Sequence, residues 1–168
     1  MVYDAVVTTM GIIHGLIGVS WMGLHVSNEI LVVPEVSKAN KLMDAPILRS
    51  LKKISIVASM MGFLTLITGI IFMYLRWALD FGRILSEPEP RAVFIALIAI
   101  LATLVLGMGF LRPLGMSVGK EAAALKPTDE FPPEFKAKLR RLGMLLHASS
   151  ALVIFGFIMM IIAINGGI

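Results

Sequence analysis

The chain has 168 residues, of which 58% are hydrophobic and 15% charged, with a net charge of +4 and no cysteine. A water-soluble domain carries about 45–50% apolar and about 25% charged residues, so this composition argues against a soluble enzyme, a disordered tail and a nucleic-acid binder. The absence of cysteine excludes disulfides, thiolate metal sites, iron–sulfur clusters and thioether-linked haem. The pI is near 9.6, but the basic residues fall in short stretches between long apolar runs. That pattern orients a membrane protein and does not form a phosphate-binding face.

Four apolar runs, at about 5–33, 54–79, 92–118 and 142–165, are each long enough to cross a hydrocarbon core, which takes about 20 helical residues. Backbone polar groups in lipid must be satisfied within the segment, so each run is predicted to be a helix. The expected fold is an all-α integral membrane protein, one domain over 1–168, in which four transmembrane helices form an up-and-down bundle. The first run follows Met1, Val2, Tyr3 and Asp4, which carry no positive charge, and it exceeds a signal-peptide core. It reads as a retained span. Asp44, Ala45 and Pro46 predict an N-cap and early-turn proline for the second helix; Pro132, Pro133 and Glu134 do the same for the fourth.

Lys38, Lys41, Arg49, Lys52 and Lys53 lie in the first connection, and Lys120, Lys126, Lys136, Lys138, Arg140 and Arg141 in the third. These eleven cations share one side; the opposite side carries Arg76, Arg83 and Arg91. The positive-inside rule then places the first and third connections in the cytoplasm and both termini outside a cell membrane. Arg112, near the inner end of the third run, agrees.

Ionisable residues within spans are costly and point to function. His14, His25 and Glu29 are in the first run and His147 in the fourth. Eleven helical steps bring His25 to within about 20° of His14's face, about 16 Å further along the axis. Gly11, His14, Gly18, Trp21, His25 and Glu29 thus form one ridge, predicted to face the bundle, whose small residues let a helix or a flat macrocycle approach. His25 and His147 sit at similar depth, about 8–12 Å from the inner boundary. Their imidazoles are predicted to ligate one haem iron from two facing helices, with Gly143 leaving room and Arg140, Arg141, Lys53 and Arg112 near the propionates. His14 lies in the outer half, level with Met73 and Tyr74, where a His/Met pair would suit a second haem or copper. The alternative for each histidine is a helix–helix hydrogen bond with no cofactor. Glu29 reads either as an acid in a proton path or as the partner of a basic residue, with the pairing favoured. Trp77 and Tyr74 fit an aromatic belt, whereas Trp21 is mid-span.

The segment 14–34 resembles the first span of the copper-resistance CopD-like membrane proteins, a group that includes the HemJ-type protoporphyrinogen oxidases and the membrane part of cytochrome-linked urate oxidases. His14, Gly18, Trp21 and Gly23 match its pattern, and Arg49 to Ser55 and Ala58 to Thr68-Gly69 are similar to its second helix. The resemblance covers roughly residues 10–72. It implies a four-helix membrane protein that binds haem b or handles copper, with His14 as a ligand. His25 is outside the pattern. Gly23 comes two residues after Trp21, and Asn28-Glu29 fills the next turn, where HemJ-type proteins place Gly three after Trp and then Arg.

The leading expectation is a membrane b-type haem protein for electron transfer, quinol-linked or a subunit of a respiratory complex, with the lipid bilayer and a second copy of the chain as further partners and no nucleic acid. The rivals are copper handling by His14 and methionines, a structural subunit without cofactor, and an enzyme acting on a porphyrin. The candidate cofactor-binding residues are His14, His25, His147, Gly18, Trp21, Arg140 and Arg141.

Overall fold

The computed structural model describes residues 2–44 and 46–167. The described residues form a four-helix bundle without a strand, and each of the four rods is long and apolar enough to cross a membrane. The first rod is α1 (Val2–Ser27), a widened π turn (Asn28–Val32) and α2 (Val33–Lys38). The second is α3 (Leu51–Trp77), entered through a 3-10 turn at Pro46–Ser50. A short α4 (Phe81–Ser86) leads to the third rod, which is α5 (Pro88–Leu106), a second π turn (Gly107–Leu111) and α6 (Arg112–Ala124). The fourth is α7 (Pro133–Ile164), with proline in its first turn as its sequence predicts.

Both π turns have one cause. Pro34 and Pro113 lack an N–H, and their rings would clash with the carbonyl four residues back. Widening the preceding turn removes the conflict: Val33 N–H donates to Asn28 O, and Arg112 N–H to Gly107 O, each five residues back.

The first and third connections meet at one end. Phe131 N–H donates to Asn40 O at 2.7 Å, Met43 N–H to Pro127 O at 3.1 Å, and Lys136 Nζ to Asn40 Oδ1 at 3.1 Å. This basic end has its own core of Leu48, Val118, Ala122, Phe131, Phe135 and Leu139. Asp44 does not cap the second helix. Its Oδ2 accepts from Asn40 N–H and Lys41 N–H, at 3.1 and 3.2 Å, and closes the loop. Pro46 has no N–H to offer a cap, and Ala45, part of that expectation, lies outside the described residues.

At the opposite end, Tyr3 Oη donates to Leu75 O. Tyr74 is exposed, as an interfacial ring would be. Trp77 is buried against Met73, Ile84 and Ala92, with Arg76 over its ring. α3 stops where Ala78 and Leu79 turn left-handed, with φ of 52° and 54°. A side chain in that region costs roughly 1–2 kcal/mol. Ala78→Gly is therefore expected to raise stability by about 1 kcal/mol, read as a higher Tm in detergent.

Asp80 caps α4: its Oδ1 accepts from Gly82 N–H at 2.8 Å. Arg83 grips Glu87 through two bonds of 2.7 and 2.9 Å. The Arg83 hydrogen bond holds the Glu87 carboxyl below its ordinary value. In Arg83→Gln the Glu87 pKa is expected to rise, measured by carboxyl NMR titration. Because the folded-state value is depressed, the pair's contribution is present above the unfolded pKa and lost as pH falls through the folded one. Both groups are solvent-exposed, so the stability change is small.

Within the rods, α5 packs most extensively on α7, and α1 on α3. Gly156 of α7 lies against Ala96 and Ala99 of α5, and Ala92 and Ala163 share one buried cluster, so small residues bring two backbones close. The outward faces are apolar and exposed, with Ile12, Leu16, Met60 and Val105 each about three-fifths exposed. Such a surface needs lipid around it. α1 touches α7 far less than α3, and a groove opens between these two helices.

Candidate functional site

The ridge of α1 turns inward. His14, Trp21 and His25 are buried, at 8%, 3% and 5% exposure, and Gly11 and Gly18 are half-buried. Cavities of about 770, 60 and 20 Å³ are lined by residues of this ridge, and one of about 400 Å³ lies beyond it.

The largest, about 770 Å³, lies between α1 and α7 in the half nearer the termini. His14, Gly11, Gly15, Gly18, Gly156 and Arg76 are among its lining, and the remainder is almost wholly apolar. It falls in the range of about 300–1,000 Å³ found for small-molecule and cofactor sites. The His14 ring stacks over Phe72, with centroids 6.3 Å apart and planes 10° from parallel. Its Nδ1 lies 3.1 Å from Thr68 Oγ1. The Thr68 hydroxyl donates to Leu64 O at 2.8 Å, so it receives the Nδ1 proton of His14. The lone pair of the ring is then on Nε2, the arrangement found where a second group orients a metal-ligating histidine. Gly69 makes room for this ring: a Cβ there would stand 2.9 Å from His14 Cε1. Met73 and Met160 share a small cavity of about 20 Å³ with His14, which places Met73, though not Tyr74, beside it.

His25 opens on a different space. Its ring meets Trp21 edge to face at 5.3 Å, and both line a cavity of about 60 Å³ bounded by all four rods. Trp21 Nε1, His25 Nδ1 and Ser149 Oγ are buried without a hydrogen-bond partner among the described residues.

His147 faces elsewhere again. Its side chain is 60% exposed, and Nδ1 is 2.6 Å from Glu29 Oε2. Glu29 thus has His147 of the fourth rod as its partner. With Gly143, Arg140 and Lys136, His147 lines a further cavity of about 400 Å³ at the basic end. Arg141 is exposed, and Arg112 belongs to the lining of the 60 Å³ cavity.

The structure therefore does not bring His25 and His147 to one plate-shaped space, and no three His, Cys, Asp or Glu side chains converge as a metal site among the described residues. It joins His14 to Thr68, Gly69 and Met73, Glu29 to His147, and His147 to Gly143 and Arg140. Sequence reasoning missed the orienting role of Thr68. A signal was present: Thr65, Thr68 and Gly69 are the polar and small residues of α3 at the level of His14. No family model, curated protein or solved structure matches this chain.

Proposed function

We infer that this chain is a membrane protein that holds a b-type haem in the 770 Å³ cavity between α1 and α7, where His14 would hold the iron, and serves electron transfer in the bilayer. Quinol is the electron donor that suits this setting, and the chain acts alone or as a subunit of a respiratory assembly. The observation that carries the reading is His14, oriented through Nδ1 by Thr68 and lining an apolar space large enough for a macrocycle. The CopD-like resemblance also selects His14.

The residues present fit the group. Thr68 fixes the tautomer and makes Nε2 the donor atom. Gly11, Gly15 and Gly18 keep one wall flat; a Cβ at Gly15 would meet nothing within 4 Å. Arg76, at the end of the cavity nearer the termini, offers a cation to a propionate and is itself held by Glu89 at 2.6 Å. The apolar walls exclude water and set the dielectric. Bound haem supplies one-electron chemistry at its iron. The eleven cations at one end support a topology with that end in the cytoplasm and both termini outside the cell membrane.

Copper is the second reading, favoured by one observation: His14, Met73 and Met160 surround a space of about 20 Å³, a borderline and soft donor set. Protein expressed with haem available decides. A pyridine haemochrome near one haem per chain, with a Soret band and sharp reduced α and β bands, is the expected result. Stoichiometric copper without haem after dialysis selects the second reading. With neither bound, both readings fail and the chain is a structural subunit.

A further inference from the structure

We propose that the bundle contains an internal water site at its basic-end half, in the cavity that holds His25, and that this water exchanges protons with the aqueous phase. The inference is independent of haem. Trp21 Nε1, His25 Nδ1 and Ser149 Oγ lack partners among the described residues, and their residues are 3%, 5% and 0% exposed. All three line the one cavity. The indole is an obligate donor, the hydroxyl both donates and accepts, and the imidazole nitrogen does either.

Two further hydroxyls in the lining have spent their protons. Ser59 Oγ donates to Ser55 O at 2.7 Å and Thr103 Oγ1 to Ala99 O at 2.9 Å, which leaves oxygen lone pairs. Donors and acceptors therefore face one small space together. An anion would meet the lone pairs, and a metal cation would meet the indole N–H and Arg112. Water, with two donors and two acceptors, suits both kinds of group. The volume of about 60 Å³ corresponds to about two waters at ~30 Å³ each.

Both π turns border this site, through Asn28 and Val32 on one rod and Gly107, Met108 and Leu111 on another. Arg112 and Gly115 continue the lining along α6 toward the basic end, which gives the direction of exchange. Arg112 is the one titratable side chain other than His25 in that lining among the described residues; Glu29 follows His25 along the first rod.

Two readouts test the proposal. Trp77→Phe leaves Trp21 as the single tryptophan. In phosphatidylcholine vesicles moved into D2O, ultraviolet resonance Raman reads its indole N–H. The expected result is exchange within minutes, slowed at least tenfold in the added Ser149→Leu variant, which fills the space. Protection of Trp21 for hours overturns the proposal, as does exchange that Ser149→Leu leaves unchanged. The second readout is the Tm of Ser149→Ala, which still holds should the leucine variant fail to fold. Loss of a water-bonded hydroxyl lowers Tm, whereas loss of a dry, unpartnered one raises it. A raised Tm overturns the proposal.

Discussion

His14→Ala is expected to lower the haem content of the purified protein more than tenfold, while His25→Leu and His147→Gln retain it. The argument is geometric. His14 alone among the three imidazoles both lines the large apolar cavity and has its Nδ1 proton committed to a neutral hydroxyl. His25 opens on a space about one-thirteenth as large, too small for a macrocycle. His147 is 60% exposed and engages a carboxylate, beside a groove that carries Lys136 and Arg140. Thr68→Val keeps the ring's room but removes its orienting partner. A lost outer-shell bond of this kind typically costs about 10–100-fold in metal affinity, so haem titration of Thr68→Val should show a shift of that order. In His14→Gly, added imidazole should restore the Soret band. Haem content unchanged in His14→Ala removes His14 as the ligand.

Gly62→Ala is expected to destabilise the bundle by about 1–3 kcal/mol, the range for overpacking a close-packed interior. The added Cβ would stand 2.7 Å from Trp21 Cζ2 and 2.9 Å from Leu104 Cδ2. The indole has little freedom to yield, because it is buried and has the His25 ring across its edge. The comparison is Gly107→Ala, whose Cβ would meet nothing within 4 Å. Thermal unfolding in detergent should show a Tm several degrees lower for Gly62→Ala and little change for Gly107→Ala. Equal losses would mean that helix-wide effects, and not contact with Trp21, set the cost. Gly69→Ala adds a methyl against His14 Cε1 at 2.9 Å, so it should disturb the His14 ring as well as stability.

The four rods were legible because a lipid-spanning segment must be long, apolar and helical, and few other demands shape its sequence. The inward ridge of α1 was legible too, since helical periodicity fixes which residues share a face. The pairing of His25 with His147 across a haem was not reached by the structure. Depth follows from counting residues along a rod, but the direction a side chain faces depends on which neighbour the rod packs against. In α7 the buried stripe runs through Leu142, Ser149, Val153, Gly156 and Ala163, and His147, five residues on from Leu142, is turned about 140° away from it. The left-handed pair Ala78–Leu79 was equally hidden, because neither residue type favours that backbone. The burial of Trp77 reflects α4, whose Ile84 packs in the same cluster as that ring; six residues of short helix leave little trace in hydropathy.

The π turns divide the molecule in a way its surface does not announce. Each holds one residue more than a regular helix would need, so deleting a single residue from Gly107–Leu111 would close the turn to a regular one and keep the faces beyond it, whereas deleting one from the regular helix of α5 would turn everything beyond it by about 100°. Gly115 would then leave Ser55, whose Oγ would lie 2.7 Å from a Cβ at that position. The half of the third rod beyond that joint is thus geared to the rest by one inserted peptide unit. A residue lost from α5 outside that joint would reset the surface of the basic end, whereas one lost within it would leave both ends of the rod in register.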